Sequence, residues 1–129
     1  MAETPGATSR APFLARWFAI MDSDSASDVL DLISEDFRLS IVFSTSPGEA
    51  QDFSGDRDAL VVYLKQRERG TRTHHELAAS ASDGSELFLG EVRRGGVFEA
   101  SFVAAGRIGG SGRLERLLIS RSPAVRFTD

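Results

Sequence analysis

Hydrophobic positions near the start of the chain repeat with the period of an α-helix. In the segment FLARWFAIMD the apolar residues lie at i, i+3, i+4 and i+7, and Pro12 precedes them. This spacing predicts a helix with one broad apolar face and a proline in its first turn. The segment SASDVLDLISEDF has a similar spacing and opens with a capping-box-like pair, Ser25 and Asp28. We therefore predict a second helix there.

From Phe37 onward the period changes to two, which is typical of a strand. In FRLSIVF apolar and polar residues alternate, and the following STSPGEAQDFSG is rich in turn residues, with room for a short edge strand at 50–53. The segment GDRDALVVYLKQRERG predicts a third helix. Four more strands are predicted in THHELAASA, ELFLGEV, GVFEASFVAAGRI and RLERLLIS, because SDGS, RRGG and GGSG between them have hairpin chemistry.

This order of elements predicts an α+β fold, with helices packed on one face of a curved antiparallel sheet. The 129 residues suffice for one domain, which we place at residues 11–122. Residues 1–10 are small and polar and are predicted to be a disordered tail, and residues 123–129 are predicted to be a C-terminal tail.

Composition excludes several classes of site. The chain has no cysteine and only two histidines, so disulfides, a thiol nucleophile and cysteine-bound metals are excluded, and we expect neither a metal nor a cofactor. The net charge of −4 argues against a nucleic-acid surface. The sequence has no apolar stretch typical of a signal peptide or membrane helix, so we expect a cytoplasmic protein without membrane contact.

Two charged segments have plain structural interpretations. The basic residues Lys65, Arg67, Arg69 and Arg72 are interpreted as complementing the dipole at the C-terminus of the third helix. The segment DSDSASD resembles the start of a calcium loop, but the glycine position holds Ser27 and the terminal glutamate position holds Ile33. We therefore interpret DSDSASD as a solvated, helix-capping loop.

Three segments together resemble the nuclear-transport-factor-2-like (NTF2-like) superfamily, in its SnoaL-like and ketosteroid-isomerase-like branch. These are FLARWFAIMDSDSASDVLDLISEDFRLSI, FSGDRDALVVYLKQR and VFEASFVAAGRIGGSGRLERLLI. The resemblance implies a cystatin-like cone, in which three N-terminal helices pack on a curved, mostly antiparallel sheet. It also implies a pocket for a small hydrophobic molecule and a homodimer formed through the outer face of the sheet. Alternation along the long strand then places the apolar set inside: Phe98, Ala100, Phe102, Ala104 and Ile108.

The resemblance does not carry over the ketosteroid-isomerase chemistry. That mechanism uses a carboxylate base and an oxyanion hole formed by a tyrosine and a protonated aspartate. The corresponding positions here hold Trp17, Ile41 and Ala104, none of which can supply these groups. We therefore do not expect that mechanism.

Both histidines lie in RGTRTHHELAAS, which resembles the histidine-bearing strand of some SnoaL-like and dehydratase relatives. Strand alternation groups His75 with Leu77, Ala79 and Ala81, and groups His74 with Glu76. His75 is therefore the predicted inward histidine and the candidate general acid or base. A purely structural histidine remains the alternative, as it does for His74.

The sequence therefore predicts a protein that binds a small hydrophobic molecule. The expected ligand contacts are Trp17, Ile41, Tyr63, His75, Phe102 and Ala104. One alternative is a dehydratase, cyclase or isomerase that uses His75 as acid or base. Another is a scaffold subunit that binds a different polypeptide. For both aromatic residues the structural interpretation is favoured over a functional one: plain core for Trp17 and a structural hydrogen bond for Tyr63.

Overall fold

The computed structural model describes residues 9–46, 49–66 and 71–128, and most of the predicted disordered tail lies outside this part of the chain. Helix α1 spans Pro12–Met21, a 3₁₀ helix spans Ala26–Leu32, and helix α2 spans Arg57–Gln66. The strands follow in chain order: β1 Ile33–Ser46, β2 Glu49–Gly55, β3 Arg72–Ser82, β4 Ser85–Arg94, β5 Val97–Ile108 and β6 Leu114–Ser122.

The six strands form one sheet in the order β2-β1-β6-β5-β4-β3. All neighbouring strands are antiparallel except β1 and β6, which are parallel. The hairpin turns that the sequence predicts between β3, β4 and β5 are present. Asp83 and Gly84 in the first, and Gly95 and Gly96 in the second, have positive φ angles, as the tight primed turns of β-hairpins require.

The α+β class is confirmed, but the arrangement of three N-terminal helices is not. Only α1 and the 3₁₀ helix precede the sheet, because α2 lies between β2 and β3. The second predicted helix is also shorter than its apolar spacing suggested. At Ile33 the backbone is already extended and pairs with Leu114 of β6. Pairing with a distant strand has here overridden local helical periodicity.

The core lies between the inner face of the sheet and the helices. α1 contacts β3 and β4, while α2 contacts β1 and β2. The largest side chains without solvent exposure come from all parts of the chain: Leu14, Trp17, Phe37, Leu60 and Leu114. Within the described part of the chain, no helix is long and apolar enough to cross a membrane.

The N-terminus of α1 is capped from the sheet. Ala11 occupies the N-cap position and offers no side-chain acceptor. The carboxylate of Glu86 on β4 accepts hydrogen bonds from the backbone N–H groups of Phe13, at 3.2 Å, and Leu14, at 2.8 Å. A negative charge at this end also complements the helix dipole. This contact fixes α1 over the sheet.

The end of the chain is bound to the outer face of the sheet. Thr128 donates a hydrogen bond to Glu91 at 2.7 Å, and Ser101 donates to the carbonyl of Val125 at 2.6 Å. Glu91 has no solvent-exposed surface. The hydrogen bond from Thr128, followed by that from Arg93, lowers the pKa of Glu91 to about 2. Residues 123–128 therefore cross the outer face of the sheet, from Ser101 on β5 to Glu91 on β4.

Candidate functional site

A cavity of about 130 Å³ opens between the helices and the inner face of the sheet. Its walls are mainly apolar and come from α1, α2 and five strands. The lining residues are Trp17, Phe18, Met21, Leu39, Ile41, Leu60, Tyr63, Arg72, His74, Val92, Phe102, Ile119 and Arg121. The lining includes the polar or charged side chains of Tyr63 on α2, Arg72 and His74 on β3, and Arg121 on β6.

The imidazole of His74 is held by Asp22, which follows the last residue of α1. Oδ2 of Asp22 accepts a hydrogen bond from the backbone N–H of His74 at 2.7 Å. Oδ1 is 2.6 Å from Nδ1 of the ring. Because an ionised carboxylate only accepts hydrogen bonds, Nδ1 carries the proton in this pair. The two bonds together fix the position and the tautomer of the imidazole.

Aromatic rings hold the imidazole of His74 from two sides. The ring of Phe18 stacks on it at a centroid distance of 4.8 Å, and Phe102 meets it edge-on at 5.3 Å. With Nδ1 engaged by Asp22, Nε2 is the ring nitrogen left to meet a ligand. Every buried polar side-chain atom in the described residues has a hydrogen-bond partner. None of the described residues bonds to Nε2, so this atom borders accessible space.

The prediction that His75 points inward is wrong, and a β-bulge is the reason. In the pairing of β3 with β4, Glu76 is opposite Gly90 and Ala78 is opposite Leu89, so Leu77 is the extra residue. Ala79 does pack on the core, but the bulge reverses the alternation before it. His74 therefore faces the cavity.

His75 instead lies on the outer side of β3, opposite Glu91. Its Nε2 atom is 2.7 Å from the hydroxyl of Thr73. Partial burial, followed by the charge of Arg93, lowers the pKa of His75. His75 does not border the cavity with the other predicted contacts, so it is not placed for acid or base chemistry there.

The structure brings together four of the other predicted contacts: Trp17, Ile41, Tyr63 and Phe102 all line the cavity. Ala104 faces inward as expected but is buried in the core, opposite Phe88 and Ile119. It does not border this cavity. The ring of Tyr63 packs against Phe53 at a centroid distance of 4.9 Å.

A second bulge places charged residues at the cavity. Val92 pairs with Ala100 and Arg93 pairs with Phe98, which leaves Glu99 as the extra residue of β5. Phe98 was predicted to face inward, but its ring lies 4.7 Å from the guanidinium of Arg126, on the outer face. Glu99, which strict alternation leaves out of the predicted inward set, instead bonds to the cavity residues Arg72 and Arg121. Both errors arise because the bulge reverses the alternation at this end of β5.

Glu99 binds three arginines. Its Oε1 atom accepts from Arg72 Nε at 2.6 Å and from Arg121 Nη2 at 2.8 Å, and its Oε2 atom accepts from Arg94 Nε at 3.0 Å. Burial alone would raise the pKa of Glu99, but the hydrogen bonds from Arg72 and Arg94 outweigh it and lower the pKa to about 2. Glu99 is therefore a carboxylate at neutral pH.

Metal binding has little support within the residues described. No three of their histidine, aspartate and glutamate side chains are grouped so that they could hold a metal ion. Asp22 and His74 alone are two potential ligands, and they bond to each other.

The whole fold, rather than any sequence motif, relates this chain to known proteins. No protein-family model and no curated protein matches the sequence. Solved structures do match. An NTF2-like protein of unknown function from Cytophaga hutchinsonii superimposes with a TM-score of 0.61 at 6% identity, covering 95% of this chain and 94% of the other.

The chain has the NTF2-like fold.

Two further solved structures that match are of proteins with proposed enzyme activities. A proposed isomerase of the SnoaL-like family from Agrobacterium tumefaciens has a TM-score of 0.64 at 9% identity, covering 87% of this chain and 96% of the other. A proposed ketosteroid isomerase from Kribbella flavida has a TM-score of 0.62 at 12% identity, with coverage of 93% and 82%. The resemblance noted in the sequence is thus confirmed at the level of the fold, and such low identities carry no residue roles.

Sequence reasoning missed Asp22, Arg72 and Arg121. Asp22 was interpreted as part of a solvated loop, yet it carries a negative charge at the C-terminus of α1, where the helix dipole disfavours it. That conflict was a usable signal, because residues that break a local rule are often functional. Arg72 was assigned to a helix end, but it is the first residue of β3.

Proposed function

We propose that this NTF2-like protein binds a small, mainly apolar molecule in the cavity and that His74, oriented by Asp22, transfers a proton to or from it. The observation that carries the proposal is the Asp22–His74 pair, at 2.6 Å, with the ring bordering an apolar cavity. The fold also suits such a role, because NTF2-like neighbours include proteins proposed to be isomerases.

The volume of the cavity limits the size of the molecule. Drug-sized ligands occupy pockets of about 300–1,000 Å³, whereas an apolar protein cavity of about 150 Å³ holds benzene. At about 130 Å³ the cavity fits one ring or a short branched chain. A steroid or a fused polycyclic molecule would require the helices to move away from the sheet. This favours a substrate much smaller than those of a ketosteroid isomerase.

The geometry of the pair supports acid and base chemistry. With Nδ1 protonated and bonded to Asp22, the neutral ring presents an unprotonated Nε2 to the cavity, which is the form a general base requires. After Nε2 takes a proton, the Asp22 carboxylate stabilises the resulting imidazolium. Phe18 and Phe102 restrict access of water to the ring, which strengthens that interaction. An isomerase, dehydratase or cyclase could each use such a group.

A model substrate tests the proposal without knowledge of the natural one. We suggest 3-cyclohexenone, a one-ring ketone. Removal of a proton from the carbon between the carbonyl and the double bond, and its return to the far end of the double bond, gives the conjugated 2-cyclohexenone, which is followed by its ultraviolet absorbance. Wild-type protein should accelerate this reaction above buffer, and His74→Ala should reduce the acceleration at least tenfold, since positioned bases contribute about 10²–10⁴-fold.

The matched control is His75→Ala, which removes the neighbouring imidazole on the outer face and should leave the rate unchanged. Asp22→Asn should lower the rate while preserving the shape of the side chain. The proposal of proton transfer is contradicted if His74→Ala is as active as wild type. Binding of the compound without acceleration would support a binding protein instead.

We further propose a homodimer through the outer face of the sheet. Three large apolar side chains on that face are about half exposed: Leu87 on β4, Val103 on β5 and Leu118 on β6. They line a shallow groove together with the small side chains of Ala78 and Ser80. A contiguous apolar surface of this kind is typical of an interface. The cytoplasmic location likewise remains a prediction.

Charge substitution tests the dimer. Val103→Arg should convert a dimer into a monomer in light scattering coupled to size exclusion, because it places a charge at the centre of the apolar face. Val62→Arg on α2 is a matched control, since Val62 and Val103 are both 52% exposed. A wild-type monomer, or dissociation by both substitutions, would count against the proposed interface. A stable complex with a different polypeptide would support a scaffold function.

A further inference from the structure

Tyr63 differs from the other polar residues of the cavity wall in its contacts. Both arginines of the wall bond to Glu99, and His74 bonds to Asp22. No described residue, in contrast, forms a hydrogen bond with the hydroxyl of Tyr63. Because every buried polar side-chain atom of the described residues has a partner, this hydroxyl borders accessible space. The structural hydrogen bond that the sequence favoured is thus not made within these residues.

Helix α2 and the neighbouring strands fix the position of the Tyr63 ring. Leu60, one turn earlier on α2, is buried and lines the same cavity, and residues three apart on a helix share a face. The ring of Tyr63 also packs on Phe53 of β2, which is directly opposite Ile41 of β1. Side chains directly opposite each other lie on one face of the sheet, and Ile41 lines the cavity. Tyr63 therefore lies at the β1–β2 side of the cavity.

His74 lies at the other side of the same cavity. The strand that carries it, β3, is at the opposite edge of the sheet from β2. The helices follow the same division, because α2 contacts β1 and β2, whereas α1 contacts β3 and β4. A molecule in the cavity therefore has Tyr63 on one side and His74 on the other.

We infer that the ligand is a one-ring molecule with an acceptor oxygen that spans the cavity: the hydroxyl of Tyr63 donates a hydrogen bond to this oxygen, and His74 meets the opposite side of the ring. The inference rests on the proposed function, since it concerns the same cavity. A phenol suits the role because it supplies one donor without a charge. Such a site rejects analogues without the oxygen, because they take water from the hydroxyl without replacing its hydrogen bond.

Cyclohexanone and methylenecyclohexane separate recognition of the oxygen from filling of the cavity, because they have nearly the same shape and only the ketone has an acceptor. Tyr63→Phe removes the hydroxyl and keeps the ring. In titrations followed by nuclear magnetic resonance, this variant should bind cyclohexanone about 3- to 10-fold more weakly than wild type, as for one neutral hydrogen bond. Its affinity for methylenecyclohexane should be unchanged. Each ligand is compared only with itself, so the different costs of removing the two ligands from water cancel.

The matched control is Val62→Ala, which changes α2 beside Tyr63 at an exposed position outside the cavity wall. It should bind both ligands like wild type. Weaker binding of cyclohexanone by Val62→Ala to the same extent as by Tyr63→Phe would overturn the inference, since the loss would then come from the helix and not from the hydroxyl.

A second measurement uses the wild-type protein alone. Tyr63 is the single tyrosine of the chain, so tyrosine labelled with ¹³C at Cζ gives one signal, and its chemical shift responds to hydrogen bonding of the hydroxyl. Saturation with cyclohexanone should shift this signal more than saturation with methylenecyclohexane. Equal shifts, or a Tyr63→Phe variant that binds cyclohexanone like wild type, would overturn this inference and leave the proposed function standing. Failure of both ligands to bind would overturn both.

Discussion

Gly90 on β4 marks the closest approach between the sheet backbone and the ring that forms one wall of the cavity. A Cβ atom added at this position would lie 2.6 Å from Cε1 and Cζ of Phe102 and 2.7 Å from the carbonyl oxygen of His75. The backbone oxygen is fixed by the pairing of β3 and β4. Gly90→Ala must therefore displace the ring of Phe102 or distort the sheet.

The packing around Phe102 indicates how costly this displacement is. The ring is only 2% exposed, with Phe18 at 4.9 Å and Phe88 at 5.7 Å between centroids. Substitutions that overpack a core in this way typically cost 1–3 kcal/mol. The ring borders the cavity of about 130 Å³, so a ring displaced into it would reduce the space for a ligand.

Urea denaturation followed by tryptophan fluorescence measures the expected effect, since Trp17 is the single tryptophan of the chain. Gly90→Ala should lower the free energy of unfolding by about 1–3 kcal/mol relative to Gly110→Ala. A Cβ atom at Gly110 would meet nothing within 4 Å. This control also cancels the entropy change in the unfolded chain that every glycine-to-alanine substitution causes.

The same pair of variants reports on the site. Gly90→Ala should weaken the binding of a one-ring ligand, whereas Gly110→Ala should bind it like wild type. The reasoning would be refuted if the free energies of unfolding of Gly90→Ala and Gly110→Ala differed by less than about 0.5 kcal/mol, the size of a typical surface substitution, and both variants bound ligand normally. In that case the contact between Gly90 and the Phe102 ring would not limit the space in the cavity.

Three further predictions concern residues that hold the fold around the site. The pKa of Glu91 is lowered from 4.5 to about 2, so its carboxylate should stabilise the fold fully above about pH 4.5 and lose this effect as the pH falls toward 2. The stability difference between wild type and Glu91→Gln in urea should shrink over that window, and a constant difference would argue against the bond with Thr128. Glu86→Ala should cost about 1 kcal/mol, as for loss of a helix cap, and an unchanged thermal midpoint would show that Glu86 does not cap α1. Phe37→Ala should cost about 3–5 kcal/mol because the ring is fully buried, and a loss below 1 kcal/mol would place Phe37 outside the core.

The elements that local patterns specify were predictable from the sequence. Leu14, Trp17, Phe18 and Met21 do form the buried face of α1. The turn sequence SDGS does form a hairpin, since positive φ angles at Asp83 and Gly84 depend only on neighbouring residues. Each of these features is determined within a few residues, which is why the order of elements and the fold could be predicted.

The site depends on contacts between distant residues, and there the sequence was insufficient. Asp22 and His74 are separated by 52 residues, and Glu86 caps a helix more than 70 residues before it. The bulges at Leu77 and Glu99 have no glycine or proline to signal them, yet each reverses the face of the residues beside it. Strict alternation therefore selected the wrong histidine of an adjacent pair.

The central claim is that His74, and not His75, meets the ligand. Since the chain contains two histidines, ¹⁵N-labelled imidazoles give a spectrum with two ring systems, which His75→Ala assigns. Titration with a neutral one-ring ligand such as phenylacetamide, of the size that the cavity fits, should shift the Nε2 signal of His74 in a saturable manner and leave the ring signals of His75 unchanged. A saturable shift confined to His75, or no shift of either ring while the ligand binds, would contradict this account of the site.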